Sequence, residues 1–215
     1  MGIISLKEVS KRFGKFTALD KINLEINKGE IIGIVGPSGS GKSVLVKMFF
    51  GFFKPSSGKI LLDSKLKIGF SSQNNSLYDY LTVRQNANYF SKIYNVSKKN
   101  RKKYISRLIE VLNLEDFKRV LVKNLSGGTK KRVDILCSLL NDPDLIILDE
   151  PFAGLDPSLI KALSQFILEL NKTGKTIIIS SHRTNEILKI ASRMLLVKNK
   201  TLKEITKSEL EEAYI

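Results

Sequence analysis

The residues from 36 to 43, GPSGSGKS, have the types and spacing of a loop that binds phosphate. Glycines let backbone N–H groups turn toward phosphate oxygens, and a helix that starts after them adds its positive dipole end. Lys42 can then reach the β- and γ-phosphates, while the hydroxyl of Ser43 can bind Mg²⁺. The pattern predicts that a nucleoside triphosphate is bound by Gly36, Pro37, Ser38, Gly39, Ser40, Gly41, Lys42 and Ser43.

Two adjacent carboxylates, Asp149 and Glu150, follow the apolar run LIIL. Ligands bind at the carboxyl ends of parallel strands, so Asp149 is placed to hold Mg²⁺ together with Ser43. Adjacent side chains at a strand end can diverge, which leaves Glu150 to polarise an attacking water as a general base. Acids at strand ends also occur as simple turn formers, but beside a phosphate loop this pair predicts hydrolysis of the triphosphate.

A second stretch, NLSGGTKKR at residues 124–132, also suits a phosphate because it combines a serine, two glycines and three basic residues. A serine and free backbone N–H groups at the start of a helix form an anion site. The chain therefore carries two stretches suited to bind phosphate. Their residue types alone do not indicate which phosphate the second stretch contacts.

Strands and helices must position these residues. Short β-branched or alternating runs predict strands, and the apolar spacing after the first glycine loop predicts a buried helix. The expected strands are 3–9, 22–26, 30–36, 59–63, 145–149 and 176–180, and the expected later helices are about 129–140 and 157–171, with a final pair of elements behind them. Strands that alternate with helices predict an α/β fold with a mostly parallel sheet covered on both faces.

The segment from about 77 to 123 has a different character, since it shows long helical patterns with many charges and no Gly or Pro. We expect it to be a helical insertion in a single domain of residues 1–215, whose core is formed by 1–76 and 124–215.

The charge and the apolar content of the chain limit the kinds of partner and compartment that we expect. The net charge is +15, and residues 92–132 hold 13 Lys or Arg residues against three acids, which suits anionic lipid, nucleic acid, an acidic partner or a merely solvated surface. No apolar run reaches the roughly 18–20 residues of a membrane-spanning helix. The chain has one cysteine, Cys137, and therefore no intramolecular disulfide, which fits a reducing compartment. Cys137 lies in an apolar helical pattern, so we expect it in the core.

The order of these motifs resembles the ATP-binding cassette (ABC) ATPases. The residues from Leu125 to Thr129 read LSGGT, similar to the family's LSGGQ signature, and they lie between the glycine loop and the strand that ends at Asp149. The resemblance covers essentially the whole chain. It implies a P-loop NTPase of ABC type with an N-terminal antiparallel β part, an inserted helical subdomain, and ATP and Mg²⁺ as cofactors.

The resemblance also implies roles for single residues. Gln73 in GFSSQ resembles the glutamine that joins the Mg²⁺ and water site to the helical subdomain, and His182 in IISSH resembles the histidine that contacts the γ-phosphate. Phe13 in KRFG resembles the aromatic residue that stacks on adenine, and AGLD, which ends at Asp156, is similar to the D-loop. The implied catalytic residues are Glu150, His182 and Gln73, and the implied metal ligands are Ser43, Gln73 and Asp149.

For the second phosphate stretch, the resemblance implies a partner. In this family two cassettes dimerise head to tail, and each signature caps the γ-phosphate held by the other cassette. Two positions depart from the family pattern: Thr129 replaces the usual glutamine, which puts a ribose contact from that side chain in doubt, and Phe152 stands where Thr or Ser is frequent. The implied signature residues acting in trans are Leu125, Ser126, Gly127 and Gly128.

We therefore expect an ATPase subunit that powers transport through separate membrane subunits at the cytoplasmic face of the cell membrane. Its second cassette is another copy or a related chain, and no specific nucleic acid is expected. One alternative is a soluble ABC ATPase acting on nucleic acid, the ribosome or cluster assembly, which the basic charge favours slightly. Another is a nucleotide-gated interaction protein without hydrolysis, which the intact Glu150, Gln73 and His182 disfavour.

Overall fold

Parallel strands form the centre of the structure, a computed structural model that describes residues 2–206 and 208–210. The strands are β1 (Gly2–Phe13), β2 (Phe16–Asn27), β3 (Ile31–Val35), β4 (Ser57–Leu62), β5 (Ile68–Ser71), β6 (Leu145–Asp149), β7 (Thr176–Ser180), β8 (Arg193–Lys198) and β9 (Thr201–Ile205). The helices are α1 (Lys42–Phe49), α2 (Val83–Ile93), α3 (Lys98–Val111), α4 (Gly127–Leu139), α5 (Pro157–Lys172) and α6 (Thr184–Leu188).

The larger sheet has six strands in the order β5-β6-β7-β3-β8-β9, and all its neighbours run parallel except the last pair. Every residue of β3, β6 and β7 is buried, as expected for central strands covered on both faces. The α/β fold with a mostly parallel sheet, predicted from the sequence, is confirmed.

Side chains on alternate residues of these strands enter two different cores. On β7, Ile177 and Ile179 face the cluster that contains residues of α4 and α5, while Ile178 faces the cluster that contains residues of α1, β1 and β2. This alternation follows from the two-residue period of a strand. The helices therefore fix the sheet from both sides and hold its strand ends in place.

The second sheet is antiparallel, with the order β2-β1-β4, and it corresponds to the N-terminal β part implied by the resemblance. Its strands are longer than the sequence indicated, because β1 and β2 pair through register shifts across polar positions that break the apolar alternation. Strand β5 was not predicted, since IGFS is only four residues long and contains a glycine.

Two helices, α2 and α3, lie between β5 and α4 along the chain, within the segment expected to be helical. Thr82 caps α2 through a reciprocal pair of hydrogen bonds with Gln85, which explains why the helix starts there. The final predicted pair of elements is the hairpin of β8 and β9, preceded by the short α6. Cys137 is buried in α4, as expected. Within the described ranges, no helix combines the length and apolar content that crossing a bilayer requires.

Candidate functional site

The phosphate-binding loop connects the end of β3 to the start of α1. Gly36 has φ +147°, and a Cβ atom there would lie 2.2 Å from the carbonyl oxygen of Val197, so only glycine fits this position. The N–H group of Ser40 donates to the carbonyl of Pro37 at 3.2 Å, which closes the turn. The loop thus places the first backbone N–H groups of α1 at the carboxyl end of β3.

The ammonium group of Lys42 lies inside this loop. Its Nζ donates to the carbonyl oxygen of Gly36 at 2.8 Å and to that of Pro37 at 3.0 Å. Burial lowers the pKa of Lys42, and the charges of Glu150 and Asp149 oppose that shift. A buried cation facing a strand-end carboxylate pair is suited to bind the negative charge of phosphates.

The carboxylate of Asp149 is fully buried at the end of β6. Its Oδ1 accepts hydrogen bonds from the hydroxyl of Ser43, at 3.2 Å, and from the hydroxyl of Ser180 on the adjacent strand β7. Its Oδ2 has no hydrogen-bond partner among the residues that the structure describes. A buried carboxylate oxygen left unpaired is costly, and oxygen ligands are those that Mg²⁺ prefers, so the residues present fit this ion.

Glu150 turns away from its neighbour because its backbone adopts the left-handed conformation, with φ 52°. Its N–H donates to the carbonyl of Ser180 at 3.0 Å, which holds the turn at the strand end. Its Oε2 lies 2.9 Å from Nδ1 of His182, whose side chain is 61% exposed whereas that of Glu150 is 10% exposed. Non-glycine residues in this region of φ are strained, and such strain concentrates at functional sites.

Lys42, Glu150 and His182 meet around one cavity of about 470 Å³ at the carboxyl ends of β3, β6 and β7, whereas Asp149 is not among its lining residues. The structure thereby brings together three groups predicted from distant parts of the sequence: the glycine loop, Gln73, and the Glu150–His182 pair. The lining residues are Phe16, Ala18, Ser38, Gly39, Gly41, Lys42, Ser43, Val44, Gln73, Glu150, Ala153 and His182.

Phe13 is not among the residues that line this cavity. Its ring packs edge-on against Phe53 with centroids 5.3 Å apart, and the ammonium of Lys11 lies over the same ring. Phe16, its cross-strand partner in the β1–β2 hairpin, lines the cavity instead. Sequence reasoning did not select Phe16, and the nearby aromatic pair was the only signal that could have indicated it.

The signature residues lie at the start of α4 and do not line that cavity. Ser126 is the N-cap, and its Oγ accepts the N–H of Thr129 at 3.2 Å. A Cβ atom on Gly127 would meet open space, whereas one on Gly128 would lie 2.5 Å from the carbonyl oxygen of Gly154. Leu125, the residue before the cap, is buried and anchors the helix start in the core.

Three further positions named from the sequence stabilise local structure. Thr129 is buried, and its hydroxyl accepts a hydrogen bond from Arg132 at 3.1 Å, so it points into the protein. Phe152 is fully buried in the core. Asp156 caps α5 by accepting the N–H groups of Ser158 and Leu159, and the hydrogen bond from the Ser158 side chain is the largest cause that lowers the pKa of Asp156.

Comparison with known proteins agrees with this geometry. Residues 19–153 match the family described as ABC transporter. The chain is 37% identical over 206 residues to the probable sulfate/thiosulfate import ATP-binding protein CysA of Chlorella vulgaris, covering 91% of this chain and 87% of that protein. It is 34% identical over 194 residues to the probable multidrug ABC transporter ATP-binding protein YbhF of Escherichia coli strain K12, covering 86% of this chain but only 34% of that longer protein.

Solved structures extend the agreement to the fold. The dimeric structure of MJ0796, a bacterial ABC transporter cassette, superimposes with a TM-score of 0.85 at 29% identity, covering 94% of this chain and 98% of that one. A further structure of the same cassette, in a post-hydrolysis state bound to ADP and phosphate, matches equally well. The chain therefore belongs to the ABC transporter family, as an ATP-binding subunit with the P-loop NTPase fold that hydrolyses ATP to drive transport.

Proposed function

We propose that this cassette works as a head-to-tail pair that closes around two ATP molecules and opens after hydrolysis. The observation that carries the proposal is the position of the signature. Ser126 and Gly127 are exposed at the start of α4, and the chain's own nucleotide cavity is lined by other residues. A helix start with exposed N–H groups binds an anion supplied from outside the chain.

A dimer provides that anion, because the γ-phosphate held by one glycine loop would face the signature of the other cassette. The dimeric arrangement of MJ0796, a chain 29% identical to this one, supports the pairing. The second cassette is a second copy or a related chain. We also propose that α2 and α3 belong to the inserted helical subdomain within a single domain, and that this subdomain moves with the signature.

Within one site, Gly36 to Ser43 would hold the phosphates, and Lys42 would neutralise part of their charge. Ser43, Gln73 and Asp149 would hold Mg²⁺, and the ion, when bound, supplies charge stabilisation to the phosphate oxygens. Glu150 would accept the proton of the attacking water. The Glu150 carboxylate also contacts Nδ1 of His182. The imidazole ring would therefore hold the carboxylate in place and present its Nε2 to the γ-phosphate.

The partners that receive the work would be separate membrane subunits, with the cassette bound at the cytoplasmic face of the cell membrane. The names of the relatives refer to different cargoes, sulfate or thiosulfate in one case and multiple drugs in another. We therefore propose that the membrane subunits, rather than the cassette, select the cargo. The exposed rings of Tyr78, Tyr80 and Tyr89 beside the Gln73 segment offer a surface for such a subunit.

Co-purification tests this proposal. The Glu150→Gln chain, tagged and solubilised gently from its native cell with ATP present, should retain a multi-spanning membrane protein identified by mass spectrometry. Wild-type chain purified without nucleotide serves as the control. Recovery of ribosomal proteins, nucleic acid or cluster-assembly factors in place of a membrane protein would favour the soluble alternative.

A further inference from the structure

Helix α4 buries a lysine, Lys131, against the nucleotide site. Lys131 is 5% exposed, and its Nζ donates to the carbonyl oxygens of Ser72 and Asp149, each at 2.7 Å. Ser72 directly precedes Gln73, and Asp149 ends β6. One ammonium group therefore joins the backbone next to Gln73 to the backbone of the strand end that carries the two acids.

One turn further along the same helix, Asp134 holds the other side of this segment. Its carboxylate accepts the hydroxyl of Ser71 at 2.6 Å and the N–H of Ser76 at 3.3 Å. Lys131 and Asp134 thus contact the chain before and after Gln73. The Gln73 side chain lies on a segment whose backbone is fixed by hydrogen bonds from α4.

Burying both charges has an energetic cost. Burial lowers the pKa of Lys131 and raises the pKa of Asp134, and the charge of each residue opposes the shift of the other. Buried ionic groups contribute little net stability compared with apolar residues of the same size, and their best-supported use is to fix one arrangement. The arrangement fixed here is that of the Gln73 segment.

The residue next to Lys131 reaches the opposite side of α4. Arg132 donates to the carbonyl oxygens of Leu112 and Asn113, at 2.9 and 2.7 Å, where α3 ends. Helix α4, which begins at the signature, is therefore hydrogen-bonded to the end of α3 on one side and to the nucleotide site on the other.

We propose that Lys131 and Asp134 are positioning residues that hold Gln73 in the nucleotide cavity and make its position depend on α4. A displacement of the signature would then move Gln73 through the hydrogen bonds to the Ser71 hydroxyl and to the backbone of Ser72 and Ser76. The inference rests on the proposed role of Gln73 in hydrolysis.

The test is a double-mutant cycle on the full chain with ATP and Mg²⁺. Lys131→Met keeps the apolar stem but removes both hydrogen bonds, and it should lower kcat about 10- to 100-fold while changing KM for ATP little, because small displacements of catalytic groups cost this much. Gln73→Ala alone should lower kcat similarly. The double variant should be no slower than Gln73→Ala when the hydrogen bond of Lys131 to Ser72, rather than the one to Asp149, carries its effect on turnover.

Arg132→Met is the matched control, since it removes two backbone hydrogen bonds from the same helix on the side away from Gln73. Its effect should multiply with that of Gln73→Ala. If the effect of Lys131→Met also multiplies, or if Lys131→Met turns over at the wild-type rate, the positioning role is wrong. If Gln73→Ala itself keeps the wild-type kcat, the proposed role of Gln73 fails, and this inference fails with it.

A milder variant covers the case in which Lys131→Met does not fold. Ser71→Ala removes one hydrogen bond to Asp134 without leaving a charge unpaired, and thermal melting identifies a stable variant. If Ser71→Ala lowers kcat in the wild-type background but not in the Gln73→Ala background, the proposal is supported. If Ser71→Ala has the same effect in both backgrounds, the proposal is overturned.

Discussion

Oε2 of Glu150 lies 2.9 Å from Nδ1 of His182, while the adjacent Asp149 turns to the hydroxyls of Ser43 and Ser180. Two neighbouring carboxylates thus enter different environments. Asp149 is buried with one oxygen unpaired among the described residues, and Glu150 faces the nucleotide cavity. The divergence separates the group proposed to bind the metal from the group proposed to activate water.

Glu150→Gln should keep ATP binding and slow hydrolysis about 10²–10⁴-fold, because an amide accepts no proton from water at neutral pH. Nucleotide binding by fluorescence and phosphate release under steady state would measure the two effects separately. Glu169→Gln, at an exposed position of α5, is the control. Turnover at the wild-type rate would remove Glu150 from the role of general base.

Glu150→Gln chain should form an ATP-dependent dimer, and adding Ser126→Arg should prevent it, because a long cation would occupy the space of the partner's phosphate. Light scattering with ATP and Mg²⁺ gives the mass. Ser97→Arg is a matched control, since Ser97 is also an exposed N-cap serine, on α3. A chain that stays monomeric without the Ser126 change would contradict pairing of two copies and favour a related partner.

Phe13→Ala should weaken ATP binding by about 1–3 kcal/mol, the range measured for bases stacked on aromatic rings. Its ring is already held by Phe53 and Lys11, so little side-chain entropy is lost on stacking. The family resemblance assigns the stacking role to Phe13, so Phe16→Ala, which removes one wall of the cavity, should weaken binding less. Calorimetric titration of both variants decides, and the reverse order of affinities would assign the stacking role to Phe16.

Gly128→Ala should destabilise the fold by about 1–3 kcal/mol, as overpacked sites do, because its Cβ would lie 2.5 Å from the carbonyl oxygen of Gly154. Gly127→Ala places its Cβ in open space and should melt close to the wild-type temperature. Denaturant unfolding of both variants makes the comparison. Equal stabilities would show that the two loops are not packed as described.

Cys137 should resist thiol reagents in the native chain. Burial raises the pKa of its thiol, and the charge of Asp134 adds to the shift, so the reactive thiolate is scarce. Ellman's reagent should react only after denaturant is added. Rapid reaction of the native protein would mean that α4 opens readily, which would also weaken the positioning role inferred for that helix.

The motifs that could be predicted from sequence are those whose chemistry depends on local spacing. The glycine loop, the strand ending at Asp149 and the serine that caps α4 each occupy a few consecutive residues. Lys131 and Asp134 were missed as part of the site because their partners are the hydroxyl of Ser71 and backbone groups of Ser72, Ser76 and Asp149, which only the tertiary structure brings near. Their signal was the position of two charged residues beside the apolar run of α4.

The position of Phe16 was missed for a related reason. Strand β2 begins earlier than its apolar pattern suggested, so the hairpin that pairs Phe13 with Phe16 was not visible in the sequence. Only the folded hairpin shows which of the two rings lines the cavity.

The backbone contact between Gly128 and Gly154 leaves the signature and the turn after Glu150 little freedom to move separately. Gly154 follows Glu150 by four residues. A signature that binds the phosphate of a partner would therefore be packed directly against the turn that follows Glu150 in its own chain. In a closed pair, each chain would thereby adjust its own rate to the nucleotide bound by the other. In the proposed dimer, this one glycine pair would link the two ATP sites and make them cooperative.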